Sequence, residues 1–136
     1  MRRARIWGRD VEMQGSPWTF VVYRREFGGD LLSDIIAAYA KPSLELYDLV
    51  RFCWAMCRTK SDDVEGFEEW CNSFPAFTLA DGEATAVASV IISAIDAELF
   101  RRGETRLQRW WRSVRARWVG WLQERRRARQ ARLLGR

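Results

Sequence analysis

The sequence predicts a mainly α, α+β protein with a small N-terminal β-hairpin, about four core helices and a long basic C-terminal amphipathic helix. Three observations lead there. A β-branched and aromatic run sits near the start, apolar residues recur at helical spacing from residue 30 onward, and Arg crowds residues 101–136.

The hairpin is expected from Trp18-Thr19-Phe20-Val21-Val22-Tyr23, which follows Ser16-Pro17 and stops before Gly28-Gly29. Ile6-Trp7 is its expected partner across the polar stretch 9–16. From Asp30 the period changes, and Leu31, Leu32, Ile35, Ile36 and Tyr39 line one face of a helix that Lys41-Pro42 stops. Ser43 is the expected N-cap of the next helix, with Glu45 and Asp48 in its early turns. Leu46, Leu49, Val50, Phe52, Cys53, Trp54, Met56 and Cys57 make that helix the centre of the core.

A third helix is expected to open at Ser61-Asp62-Asp63, to place Phe67, Trp70, Cys71 and Phe74 on one face, and to end at Pro75. Asp81 is the expected cap of a fourth. Its apolar face is Val87, Val90, Ile91, Ala94, Ile95 and Leu99, and it runs to Arg102 before Gly103 interrupts it. Beyond Gly103, residues 104–134 contain no Pro and one Gly and repeat apolar residues at Leu107, Trp110, Trp111, Val114, Trp118, Trp121 and Leu122. The division expected is a body, 1–103, and an arm, 104–136, with no internal repeat.

Composition narrows the function. A hydrophobic content of 48% with 8 Trp is too high for a disordered chain. His is absent, which removes the commonest general base and the commonest metal ligand, so no enzyme and no cofactor is expected. Cys53, Cys57 and Cys71 lack a zinc knuckle's spacing and read as core residues. The run from Asp62 to Glu69 lacks the alternating ligands and Gly of a calcium loop; it reads as solvated first-turn acids or as a docking surface for a basic segment. Gly28-Gly29 is a turn without the remainder of a phosphate loop. The N-terminal residues do not form a secretory h-region, and the longest apolar stretch, 84–95, is too short for a bilayer span. A cytoplasmic address is expected.

The net charge of +5 conceals a split. Residues 101–136 hold 13 Arg against 2 acids, a net +11, so the remainder carries −6. Within the basic arm Trp110, Trp111, Trp118 and Trp121 share a helix with Arg109, Arg112 and Arg115, and these seven are the expected partner-contact residues. Such a helix suits an acidic protein groove, packing on its own body, an anionic membrane surface, or nucleic acid.

The succession Ile6-Trp7-Gly8, Pro17-Trp18-Thr19-Phe20-Val21-Val22-Tyr23, Glu26-Phe27-Gly28-Gly29-Asp30-Leu31, Leu49-Val50-Arg51-Phe52-Cys53-Trp54-Ala55-Met56 and Gly66-Phe67-Glu68-Glu69-Trp70 resembles the tail assembly chaperones of long-tailed bacteriophages and prophages. The resemblance spans roughly residues 6–101. It implies a small, mainly helical, non-catalytic protein that binds the tape measure protein before the tail tube polymerises around it, with the tail tube protein as a further possible partner. It also implies residence in the bacterial host cytoplasm and absence from the mature virion. The physical logic agrees, because a very long helical chain aggregates if its apolar stripes stay bare, and a chaperone covers them reversibly. The basic Trp-rich arm has no counterpart in the resemblance, and self-association into a homo-oligomer is its expected role there.

Overall fold

The computed structural model describes residues 1–43, 45–75, 77, 82–100 and 106–133, the last segment with side chains at 113, 116, 117 and 123–133. Two strands open the chain, β1 (Arg2–Ile6) and β2 (Arg9–Met13). They pair antiparallel, with Arg2 opposite Met13 and Ile6 opposite Arg9. The two residues between them, Trp7 at φ 44° and Gly8 at φ 76°, are both left-handed, as the two-residue type I′ turn of right-twisted strands requires. A tryptophan there is strained, and burial holds it: its ring lies 5.0 Å from that of Phe77 and 6.1 Å from that of Phe74.

The hairpin is thus present, but its second strand is the stretch expected to be a polar connection. Trp18–Tyr23, expected as a strand, lies instead in α1 (Pro17–Phe27). End signals outweigh β-propensity there. Ser16 Oγ accepts from the Trp18 N–H at 3.2 Å, and the Ser16 N–H donates to Thr19 Oγ1 at 3.1 Å. Pro17 occupies the first helical position, and Gly28 at φ 77° closes the other end, its N–H donating to the Arg24 carbonyl at 2.8 Å. Replacing Ser16 with Ala removes one half of this reciprocal cap, and we expect urea denaturation to show a loss of about 1 kcal/mol.

The remaining elements are α2 (Leu31–Ala40), α3 (Leu46–Lys60), α4 (Phe67–Asn72), α5 (Glu83–Leu99) and α6 (Arg106–Leu133). Among the described residues the body therefore carries five helices. α3 is its axis, packed by α1, α2, α4, α5 and β2, with Leu49, Phe52, Cys53, Ala55 and Met56 fully buried. β1 lies against α5, and α6 runs beside α2 and α5. Cys53 and Cys57 belong to the core, where Cys53 Sγ meets Met13 Sδ at 3.7 Å, whereas Cys71 is exposed.

Boundaries differ from expectation in several places, among them the end of the third helix, which closes at Asn72 and leaves Phe74 beyond it. Glu45, not Ser43, precedes α3, and it makes no side-chain cap bond. The third helix begins at Phe67 and not at Ser61, because 61–66 is folded into a turn whose carbonyls are already engaged. Arg58 donates to those of Asp62 and Val64, and Trp54 Nε1 donates to that of Glu65 at 2.9 Å. Of the acids expected in its first turn, only Glu68 and Glu69 are there. The helix expected to reach Arg102 closes at Leu99, with Phe100 as C-cap; Gly82 precedes it, and Asp81, its expected cap, lies outside the described residues. Among the described residues no helix is long and apolar enough to cross a membrane.

Candidate docking face

α1 divides into two faces by its period. Thr19, Val22 and Tyr23 are buried against the body, while Trp18, Phe20 and Val21 are exposed at 44%, 36% and 39%. Other large apolar side chains stand open singly, such as Tyr47 on α3 and Leu133 on α6. On α1 three fall within one helical turn. Of the described tryptophans, Trp7, Trp54 and Trp70 are buried and Trp18 is open to solvent.

The outer face has a charge direction along its length. No acid occupies the first turn of α1, and Arg24 and Arg25, both exposed, occupy the last. The Arg25 guanidinium lies 4.9 Å from the Trp18 ring centre, so the basic end folds back over one edge of the apolar patch. Glu26, the acid that follows them in the helix, accepts the Phe67 N–H at 3.1 Å and ties the end of α1 to the start of α4, while Asp30, just beyond the helix, lies within electrostatic reach of Arg24.

The inner face explains why α1 is a firm platform. Tyr23 OH donates to Asp34 Oδ2 at 2.6 Å and accepts from Arg51, which also bonds Asp48. Asp48 in turn accepts from Lys41 at 2.6 Å. One network therefore joins α1, α2 and α3. Phe27 adds ring contacts to Tyr23 at 4.8 Å, Phe67 at 4.9 Å and Trp54 at 5.6 Å. Burial, helped by the bond to Asp34, pushes the Tyr23 phenol well above its ordinary range, so it stays a neutral donor.

Burial alone would raise the Asp48 carboxyl, but bonds from Lys41 and Arg51 outweigh it and hold the group below its ordinary value. A carboxyl depressed on folding stabilises the protein fully above its unfolded value, about 3.9, and that contribution is lost as pH falls through the folded one. The expected result is that acidification below about pH 4 destabilises the native protein more than an Asp48→Asn variant, read by urea denaturation at successive pH values.

The seven residues expected from sequence to contact a partner, Trp110, Trp111, Trp118, Trp121, Arg109, Arg112 and Arg115, all fall within α6, and their side chains lie outside the described residues. Where α6 side chains are described they are exposed, including the unbroken run 123–133 with Arg125, Arg126, Arg127, Arg129 and Arg132. Sequence reading placed Trp18, Phe20 and Val21 in a strand and so missed the exposed face they form. The available signal was the Ser16-Pro17 start with Thr19 three residues after the cap. Among the described residues no three His, Cys, Asp or Glu side chains gather as a metal site would require. No family model, curated protein or solved structure matches the chain.

Proposed function

We propose that this protein is a tail assembly chaperone of a long-tailed phage or prophage, that it binds the tape measure protein and keeps it soluble during tail assembly, and that it acts without catalysis in the host cytoplasm. The observation that carries this reading is the exposed apolar turn of α1, Trp18, Phe20 and Val21, mounted on a helix whose other face is fixed by a polar network and an aromatic cluster. Apolar side chains held open on a rigid element are what reversible cover of an amphipathic helix needs. The motif succession quoted above supports the phage assignment.

A second reading, a non-catalytic module whose basic helix binds an anionic membrane or nucleic acid, is favoured by the exposed arginine run of α6. Co-expression with the tape measure protein of the same phage, with and without residues 104–136, separates the two. A body-driven chaperone keeps the partner soluble and bound in both forms. Loss of the complex on deleting the arm, or recovery of lipid or nucleic acid in place of the partner, would overturn the first reading in favour of the second.

A further inference from the structure

We infer that the outer face of α1 receives one amphipathic helix of the partner, oriented so that its apolar stripe meets Trp18, Phe20 and Val21 and its carboxylates meet Arg24 and Arg25. The inference rests on the chaperone reading in that it names that reading's surface and the kind of partner segment it takes. Its physical basis is the asymmetry of the face itself.

At about 3.6 residues per turn, Val21 lies near the middle of the solvent arc, with Trp18 toward one side and Phe20 toward the other. Arg24 and Arg25 follow one turn further along the same arc. The N-terminal half of the face is thus apolar, and the C-terminal half carries two exposed positive charges, Arg25 beside the Trp18 ring and Arg24, which has the Asp30 carboxylate within electrostatic reach at the helix end. A partner helix laid along it gains apolar burial at one end and opposite charge at the other only if its acids lie about a turn from its apolar residues. A helix edged with Lys or Arg places like charges together, which disfavours docking.

The geometry also sets the polarity of specificity. The exposed Arg25 guanidinium lies over the Trp18 ring, 4.9 Å from its centre, so a cation and a flat apolar surface stand together. A carboxylate approaching Arg25 lies next to that ring, so the apolar and charged contacts form together. Charge should therefore decide which amphipathic segments bind, and apolar area should decide how firmly.

The test uses the full chain and two synthetic amphipathic helices with the same Leu stripe, one edged with Glu and one with Lys, followed by fluorescence anisotropy at physiological salt. The Glu-edged helix is expected to bind roughly tenfold more tightly. Val21→Asp should weaken it by tenfold or more, because a charge is placed at the centre of the apolar contact. Arg24→Glu with Arg25→Glu should reverse the preference in favour of the Lys-edged helix, a reversal that general damage to the fold cannot produce. All three side chains are exposed, so circular dichroism should report the native fold in each variant.

Tighter binding of the Lys-edged helix to the native chain, or no binding of either, overturns the inference. So does binding of the Glu-edged helix that both α1 variants leave unchanged, since it would then belong to the arginines of α6. A dimer that Val21→Asp converts to a monomer would mean that a second copy covers the face, and this too overturns it. Failure of the tape measure protein to bind, with the peptide results as stated, rejects the chaperone reading and leaves this surface in place.

Discussion

Replacing Arg51 with Ala should destabilise the protein by about 3 kcal/mol, since removing one member of a buried ion pair strands the other. The Arg51 side chain is 15% exposed and that of Asp48 only 5%. Arg51 donates to Asp48 and to Tyr23 OH, and lies 3.5 Å from Asp34. Its guanidinium also sits 5.0 to 5.8 Å from the ring centres of Tyr47, Phe27, Phe52 and Tyr23. Truncation therefore removes a charge partner for Asp48, a donor for Tyr23 and the filler of an aromatic niche at once. Asp48 keeps Lys41, which sets the expected loss at the lower end of the range for buried pairs. Arg51→Lys keeps the charge without the fork and should cost less. Urea denaturation checks both, and a loss below about 1 kcal/mol for Arg51→Ala would mean that the network does not hold α1 in place.

A comparable loss is expected from a single added carbon at Gly15. A Cβ there would stand 2.4 Å from the Glu98 carbonyl oxygen, 2.7 Å from its carbon and 2.8 Å from a Leu99 methyl. Two of these three atoms are backbone, so no rotamer change relieves the contact, and the chain between β2 and α1 must move away from the end of α5. The Gly15 N–H also points at the Glu98 carboxylate, 3.4 Å away. Gly15→Ala should cost about 3 kcal/mol, toward the upper end of overpacking effects. Thermal and urea melts measure it, and a stability within about 0.5 kcal/mol of the native protein would show that the connection yields freely at this approach.

The two variants bear on function differently. The close approach of Gly15 to the end of α5 fixes where the β2–α1 connection lies, and Arg51 ties the inner face of α1 to α2 and α3. An Arg51→Ala protein that remains folded should bind a partner helix less well although Arg51 meets α1 through Tyr23 on its buried face, because a platform that rocks against α3 spends part of the contact energy on being fixed.

The core helices were legible because their apolar spacing is long and regular. Leu31, Ile35 and Tyr39 on α2, Leu49, Phe52, Cys53, Trp54, Met56 and Cys57 on α3, and Val87, Ile91, Ala94 and Ile95 on α5 are buried as the period indicates, while Leu46 and Val50 are only partly buried. The stretch 18–23 was not. Phe20, Val21 and Val22 favour a strand by type, yet the helix is decided by a reciprocal cap at Ser16 and Thr19, Pro17 at the first position and Gly28 at the end. Local stop and start chemistry prevailed over residue preference, as it does when a short element is anchored by tertiary contacts. The polar stretch 9–13 concealed a strand because its partner is also charged. Arg3 meets Glu12 and Arg5 meets Asp10 across the hairpin, so the alternation is carried by a few buried residues such as Val11 and Met13. The exposed apolar face was hidden for the same reason as α1: three apolar residues in a presumed strand alternate between core and solvent, whereas in a helix they share an outer turn.

The most direct test of whether the body, through α1, holds the partner is amide hydrogen exchange on the complex with the tape measure protein, compared with the free protein. Slower exchange is expected across residues 18–25, with α6 little changed. Protection confined to residues 106–133, with α1 exchanging as in the free protein, would contradict it and assign the holding to the basic arm.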